Sequence, residues 1–116
     1  MKKIITITVF FFYACLLYGQ QALKSGTYIF KFYDDEYHKF QGICKVVITK
    51  KRVAVYAIEG CHRKKGELID EGILLFHKSG KWIIGRKKED VNAKEIGGCS
   101  DGPSVIDLEH KVYHSC

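Results

Sequence analysis

From Thr27 onward the chain alternates apolar and polar positions at the period of two that a half-buried strand requires, and it is rich in β-branched and aromatic residues. The segment TYIFKFY, Thr27 to Tyr33, places Tyr28, Phe30 and Phe32 on one side and ends at the acidic turn Asp34-Asp35-Glu36. A second strand is predicted from Tyr37 to Thr49, bulged at Gly42, where the missing side chain permits a bend. After the basic turn Lys50-Lys51-Arg52 the chain returns as Val53 to Ile58. Glu67 to Ile69 reads as extended, Ile73 to Lys78 as a strand, and Ser79-Gly80 as a tight turn into Lys81 to Gly85. Val105 to Leu108 and Lys111 to Ser115 make a last hairpin. Only EDVNAKEIGG breaks the pattern; there Asp90 is placed to cap a short helix, near residues 90–96, that stops at Gly97.

The fold class so read is all-β: a single antiparallel meander of six to seven strands, with no internal repeat, linker or low-complexity segment. A sheet of that size with one apolar face must curl into a small barrel or fold into a sandwich. If every turn reverses the chain, the turns alternate between two ends. Asp34 to Glu36, Glu59 to Gly66, the long Arg86 to Pro103 segment and Cys116 then gather at one end. Lys50, Lys51, Arg52, Lys78, Lys81 and Lys111 gather at the other, relieved only by Glu109.

The first 21 residues, MKKIITITVFFFYACLLYGQQ, set Lys2 and Lys3 before an apolar run from Ile4 to Tyr18, then Gly19. That is the order of a signal peptide, 1–19, and the run is shorter than the roughly 20 residues a membrane-spanning helix needs. The remaining chain, 20–116, reads as a single β domain exported to a periplasmic or extracellular space, with no transmembrane segment. Cleavage removes Cys15 and leaves Cys44, Cys61, Cys99 and Cys116, an even number that fits disulfides in a small exported domain. Cys15 as a lipid-bearing residue is disfavoured by the bulky Phe12-Tyr13 that precede it. The meander makes Cys99 and Cys116 neighbours; Cys44 and Cys61 are the remaining pair, on adjacent strands if their hairpin carries a bulge.

One stretch resembles a catalytic motif. Gly98-Cys99-Ser100-Asp101-Gly102 matches G-x-S-x-G, the elbow that presents a nucleophilic serine between a strand and a helix. Here Pro103 and the strand-like SVIDL follow, and Cys99 is explained as half of a disulfide, so a glycine-rich turn before a strand is expected and no catalytic residue is assigned. His110, His114 and Cys116 share the even parity of one strand face, as a zinc site would want, but oxidation consumes the thiol. Glu89, Asp90, Glu95 and Asp101 lack the alternating spacing of a calcium loop, and no metal or other cofactor is expected.

Two function classes remain. The first is a non-catalytic protein that recognises another protein through its loops, as small inhibitors and immunity proteins do, with Arg63, Lys64, Lys65, Arg86, Lys87, Lys88, Ser100 and Asp101 as partner-binding residues. The second is a lipocalin-like carrier of a small apolar ligand, lined by the aromatic residues. The basic end suits an anionic envelope component rather than nucleic acid. Size, leader, β pattern and terminal cysteine resemble those of small periplasmic lysozyme inhibitors, and SGKW, Ser79 to Trp82, resembles the serine-glycine loop some of them insert into an active site. The match covers four residues and implies an inhibitor function. N-terminal sequencing and intact mass of the secreted protein are expected to place its first residue at or near Gln20; a lipid-modified Cys15 at the terminus would overturn this reading.

Overall fold

The structure, a computed structural model, describes residues 23–116; the expected leader and its cleavage site lie outside the described residues. Seven strands follow in order: β1 (Gly26–Asp34), β2 (Lys39–Thr49), β3 (Arg52–Glu59), β4 (Leu68–Phe76), β5 (Trp82–Gly85), β6 (Ser104–Asp107) and β7 (Val112–Ser115). Each pairs antiparallel with the next, and the sheet closes into a barrel through a parallel pairing of β1 with β7, Lys31↔Val112 to Asp34↔Ser115. Of the two architectures open to the meander, the barrel is the one formed.

The alternation expected for β1 holds. Phe30 and Phe32 face the interior with Cys44, Val46 and Ile48 of β2, Val53 and Val55 of β3, Leu74 of β4, Ile84 of β5, Ile106 of β6 and Tyr113 of β7. Phe30, Val46, Val55 and Ile106 are wholly inaccessible to solvent. Burial of each such side chain stabilises the fold by about 1.5–3 kcal/mol before the entropy of ordering it is subtracted. The interior is therefore filled by the wall's own residues.

Three bulges lie at the end of the barrel that receives the Asp34–Glu36 turn. Gln41 is the extra residue between Phe32↔Gly42 and Tyr33↔Phe40, Ile58 between Cys44↔Ala57 and Ile43↔Glu59, and Ile69 between Val55↔Asp70 and Tyr56↔Leu68. The first falls beside the Gly42 where a bend was expected. Gly42 is required for a second reason: a β-carbon there would run into the carbonyl of Glu59. The bulge at Ile69 also explains a difference from the pattern read in the sequence. The segments read as Glu67–Ile69 and Ile73–Lys78 fall for the most part in one strand, β4, which runs only from Leu68 to Phe76, and Ile69 interrupts the period that would have joined them.

The 86–103 segment also differs. In place of an α-helix near 90–96 there is one 3₁₀ turn, Lys88–Asn92, and the chain is extended again at Ala93. Asp90 caps it from inside the turn: its Oδ2 accepts the backbone N–H groups of Arg86 (2.7 Å) and Lys87 (3.3 Å). The turn and the residues after it cover the outer face of β4 and β5, the Val91 carbonyl accepting from Lys78 N and the Ala93 carbonyl from Nε2 of the buried His77. That cover buries Ile83 completely while Ile84, its neighbour, faces the core. At the last hairpin Asp107 accepts from the backbone and ring of His110, which holds the imidazole above its ordinary value.

Cys99 and Cys116 form a disulfide with Cα atoms 5.2 Å apart. It ties the chain terminus, just past β7, to the loop before β6. Closing that loop is worth about 3 kcal/mol in the chain-entropy account, so the doubly substituted Cys99→Ser/Cys116→Ser protein is expected to lose about that much stability in urea unfolding, with β-sheet circular dichroism retained.

Candidate functional site

The bulged end of the barrel carries two clefts, one on either side of the start of β4. The larger, about 420 Å³, is the mouth of the barrel. Inward-facing Phe32 and Asp34 of β1 meet Gln41 of β2, the β3–β4 loop residues Cys61, His62, Arg63 and Glu67, and the terminus at Ser115 and Cys116. Asp34 is nine-tenths buried, and its Oδ1 accepts the backbone N–H groups of Glu36 and Tyr37, the local bond that fixes the acidic turn. Gln41 is the bulge residue, and its Oε1 is buried without a hydrogen-bond partner. Arg63 and Glu67 pair at 3.6 Å with both side chains nearly half exposed, an ion pair of little energetic weight that orients the loop.

The smaller cleft, about 310 Å³, is lined by Asp70, Ile84, Arg86, Lys87, Asp90 and the Asp101–Ser104 segment. Asp70 is its fixed point. Tyr113 on β7 reaches across the interior and donates its hydroxyl to Asp70 Oδ2 at 3.0 Å, and Arg86 Nη2 stands 3.9 Å from Oδ1. Burial, with the Asp70 carboxylate beside it, pushes the Tyr113 phenol well above its ordinary value, so the hydroxyl keeps its proton and remains the donor. Cations and carboxylates alternate around this cleft, and Asp90 holds the Arg86 and Lys87 backbone from below.

The G-x-S-x-G stretch is a turn. The Ser100 hydroxyl donates to the Gly97 carbonyl at 2.7 Å and accepts from Gly102 N at 3.3 Å. Gly98 is left-handed at φ 56°, and its N–H binds Asp35 Oδ2. A β-carbon on Gly102 would collide with the Glu95 carbonyl. Each glycine of the motif thus has a backbone reason to be glycine, and the serine hydroxyl is committed to that backbone.

The histidines are dispersed. His110 sits at the far hairpin with Asp107, while His114 Nδ1 lies 3.1 Å from Asp35 Oδ1 and its ring packs edge-on to Tyr33. Cys116 is in the disulfide. The shared face expected for His110, His114 and Cys116 is lost because β7 begins only at Val112.

Cys44 and Cys61 require a correction, since both are free thiols in the structure. The expected bulge is present at Ile58, but the Cys44 thiol points at the Phe30 carbonyl across the β1–β2 pair, while the Cys61 thiol is spent on the carbonyls of Ile43 (3.2 Å) and Glu59 (3.4 Å). Burial, reinforced by Cys61, pushes the Cys44 thiol up to about 12. Burial likewise raises Cys61, against the hydrogen bonds at Ile58 and Glu59.

Of the partner-binding residues expected from sequence, Arg86, Lys87 and Asp101 come together in the smaller cleft and Arg63 lines the larger. Lys64, Lys65 and Lys88 are exposed outside both linings, and Ser100 is half-buried in its turn. The sequence reading missed Asp70, Gln41 and His62. The first two sit at or beside bulges, where alternation stops reporting which way a side chain points. Comparison with protein-family models, with curated proteins and with solved structures finds no match. Under non-reducing conditions the native protein is expected to show no reactive thiol towards a chromogenic disulfide reagent, and two after unfolding in guanidinium.

Proposed function

We propose that this is a small exported protein that acts by binding another protein through the disulfide end of its barrel, as inhibitors and immunity proteins do. The observation that carries the reading is the location of both clefts: they open side by side at the end whose loops are anchored by Cys99–Cys116, while the interior beneath is filled by Phe30, Ile48 and Ile106. Anchored loops lose little freedom on association, which favours affinity from a modest surface. The alternating charges of Arg86, Lys87, Asp70 and Asp101 suit a polar, mixed-charge partner surface. A disulfide fits export to an oxidising periplasmic or extracellular space. Among the described residues no helix is long and apolar enough to cross a membrane.

The filled interior supports this reading over a carrier of small apolar ligands. SGKW, the stretch that resembles an inhibitor's insertion loop, lies at the opposite end, where Ser79 is bonded to His77. The inhibitory surface proposed is therefore the disulfide end and not that turn. A pull-down of the secreted protein against envelope and host extracts tests the reading. Arg63→Ala, Arg86→Ala and Asp101→Ala are expected to weaken capture of the recovered partner about tenfold each, the cost of a peripheral contact of about 1.4 kcal/mol, with the melting temperature nearly unchanged. Saturable one-to-one binding of a fatty acid or retinoid-like ligand, quenching Trp82, would overturn it in favour of the carrier.

A further inference from the structure

The opposite end of the barrel has a different chemistry. Lys24 precedes β1, Lys50 and Lys51 form the β2–β3 turn, Arg52 begins β3, Lys78 and Lys81 flank the β4–β5 turn, and Lys111 lies in the β6–β7 turn. All seven are exposed, and among the described residues none lies within 4.0 Å of a carboxylate. The carboxylates in the turns at this end are Glu109 and Asp107, the latter occupied by His110, and the exposed Glu71 of β4 lies diagonal to Arg52 without an ion pair at 4.0 Å or less among the described residues. Lysines at the margins of a sheet commonly block edge-to-edge pairing, but a closed barrel has no edge to protect, and these lysines stand in turns. Two of them hold left-handed backbone, Lys50 at φ 57° and Lys111 at φ 55°, where glycine or asparagine sits with less strain.

Inside this ring of charge the barrel is stoppered by apolar groups. Phe76 and Trp82 end β4 and β5 as a tilted pair with ring centroids 5.0 Å apart. Phe76 is 40% exposed, and Trp82, Tyr28 and Leu23 are partly buried against the core. An exposed aromatic ring beside a partly buried one, with cations in every turn of that end, matches the two layers of a bilayer surface: anionic headgroups outside and the carbonyl region just beneath. A chain-like polyanion would instead call for a groove, and both clefts lie at the far end.

We propose that the turn end of the barrel docks on an anionic lipid bilayer, with Lys24, Lys50, Lys51, Arg52, Lys78, Lys81 and Lys111 against headgroup phosphates and Phe76 and Trp82 at the interface. The disulfide end then faces away from the membrane, open to a partner.

The test uses the protein recovered from an exporting host. It is expected to co-sediment with phosphatidylcholine vesicles holding about 30 mol % phosphatidylglycerol and not with phosphatidylcholine alone. Raising salt from about 50 to about 500 mM should release it. Trp82 is the single tryptophan, so its emission should shift to the blue on binding. Lys50→Glu/Lys51→Glu should lower the partition coefficient by at least about tenfold, and Lys64→Glu/Lys65→Glu at the other end should leave it unchanged. Lys50→Gly/Lys111→Gly guards against misfolding as the explanation, because it relieves strained backbone while removing charge: the melting temperature should rise as binding falls. Equal binding to both vesicle types, equal loss with the Lys64/Lys65 variant, or binding with no Trp82 shift and full competition by soluble polyphosphate would each overturn the proposal.

Discussion

Strands that each run against the preceding one alternate in direction, so the first and last of seven point the same way and can close a barrel only as a parallel pair. The β1–β7 seam is that pair, and the rest of the structure depends on it. Parallel pairing is slightly less stable per residue than antiparallel pairing, and this seam is only four register pairs long. It is reinforced at its upper end by Asp35 N donating to the Ser115 carbonyl, by His114 against Asp35, and by the disulfide one residue further on. At its lower end Lys31 N donates to the Lys111 carbonyl, and Tyr113 ties β7 to β4 across the interior.

Closure also sorts the chemistry. Because every hairpin reverses the chain, residues far apart in sequence meet at one of two ends, and the ends differ in kind. One has long loops, bulges, charges of both signs and recesses. The other has short turns, unpaired cations and an aromatic stopper. Bulges at Gln41, Ile58 and Ile69 splay the first end and turn polar side chains into it, while the regular register of Val46↔Val55 and Leu74↔Ile84 below keeps the wall tight. The interior has no part in this division, being filled by the wall's own side chains.

Much of this was legible in the sequence, for a physical reason. Period-two alternation is strong from Thr27 to Ile58, so the first three strands and their turns could be read directly, and counting reversals was enough to bring Cys99 to Cys116. Legibility failed where the period slipped. Ile69 hid the continuity of β4, and with it the inward turn of Asp70. The 86–103 segment looked like a short helix because Asp90 is a good capping residue, yet its carboxylate serves a tighter turn that begins two residues earlier. Cys44 and Cys61 showed a similar limit: Cys61 falls in the loop just past β3 rather than on a strand beside Cys44, and the direction of each thiol is set by which carbonyl it meets, which no sequence pattern reports. The character of the two ends was visible as charge, whereas their shapes came only with the register.

The bond between Cys99 and Cys116 has a meaning beyond loop entropy. Strands β6 and β7 together lie inside the covalent loop it closes, and β6 meets β5 through only two register pairs. With the bond intact, that hairpin cannot leave the wall without dragging the anchored 86–103 segment with it. With the bond reduced, the hairpin becomes a detachable stave held by its shortest ladders, and its departure bares the flanks of β1 and β5 at once. Two unpaired flanks on one molecule would be a template for the same hairpin from another, so reduction of this one bond is the change that would open the wall to strand exchange between copies.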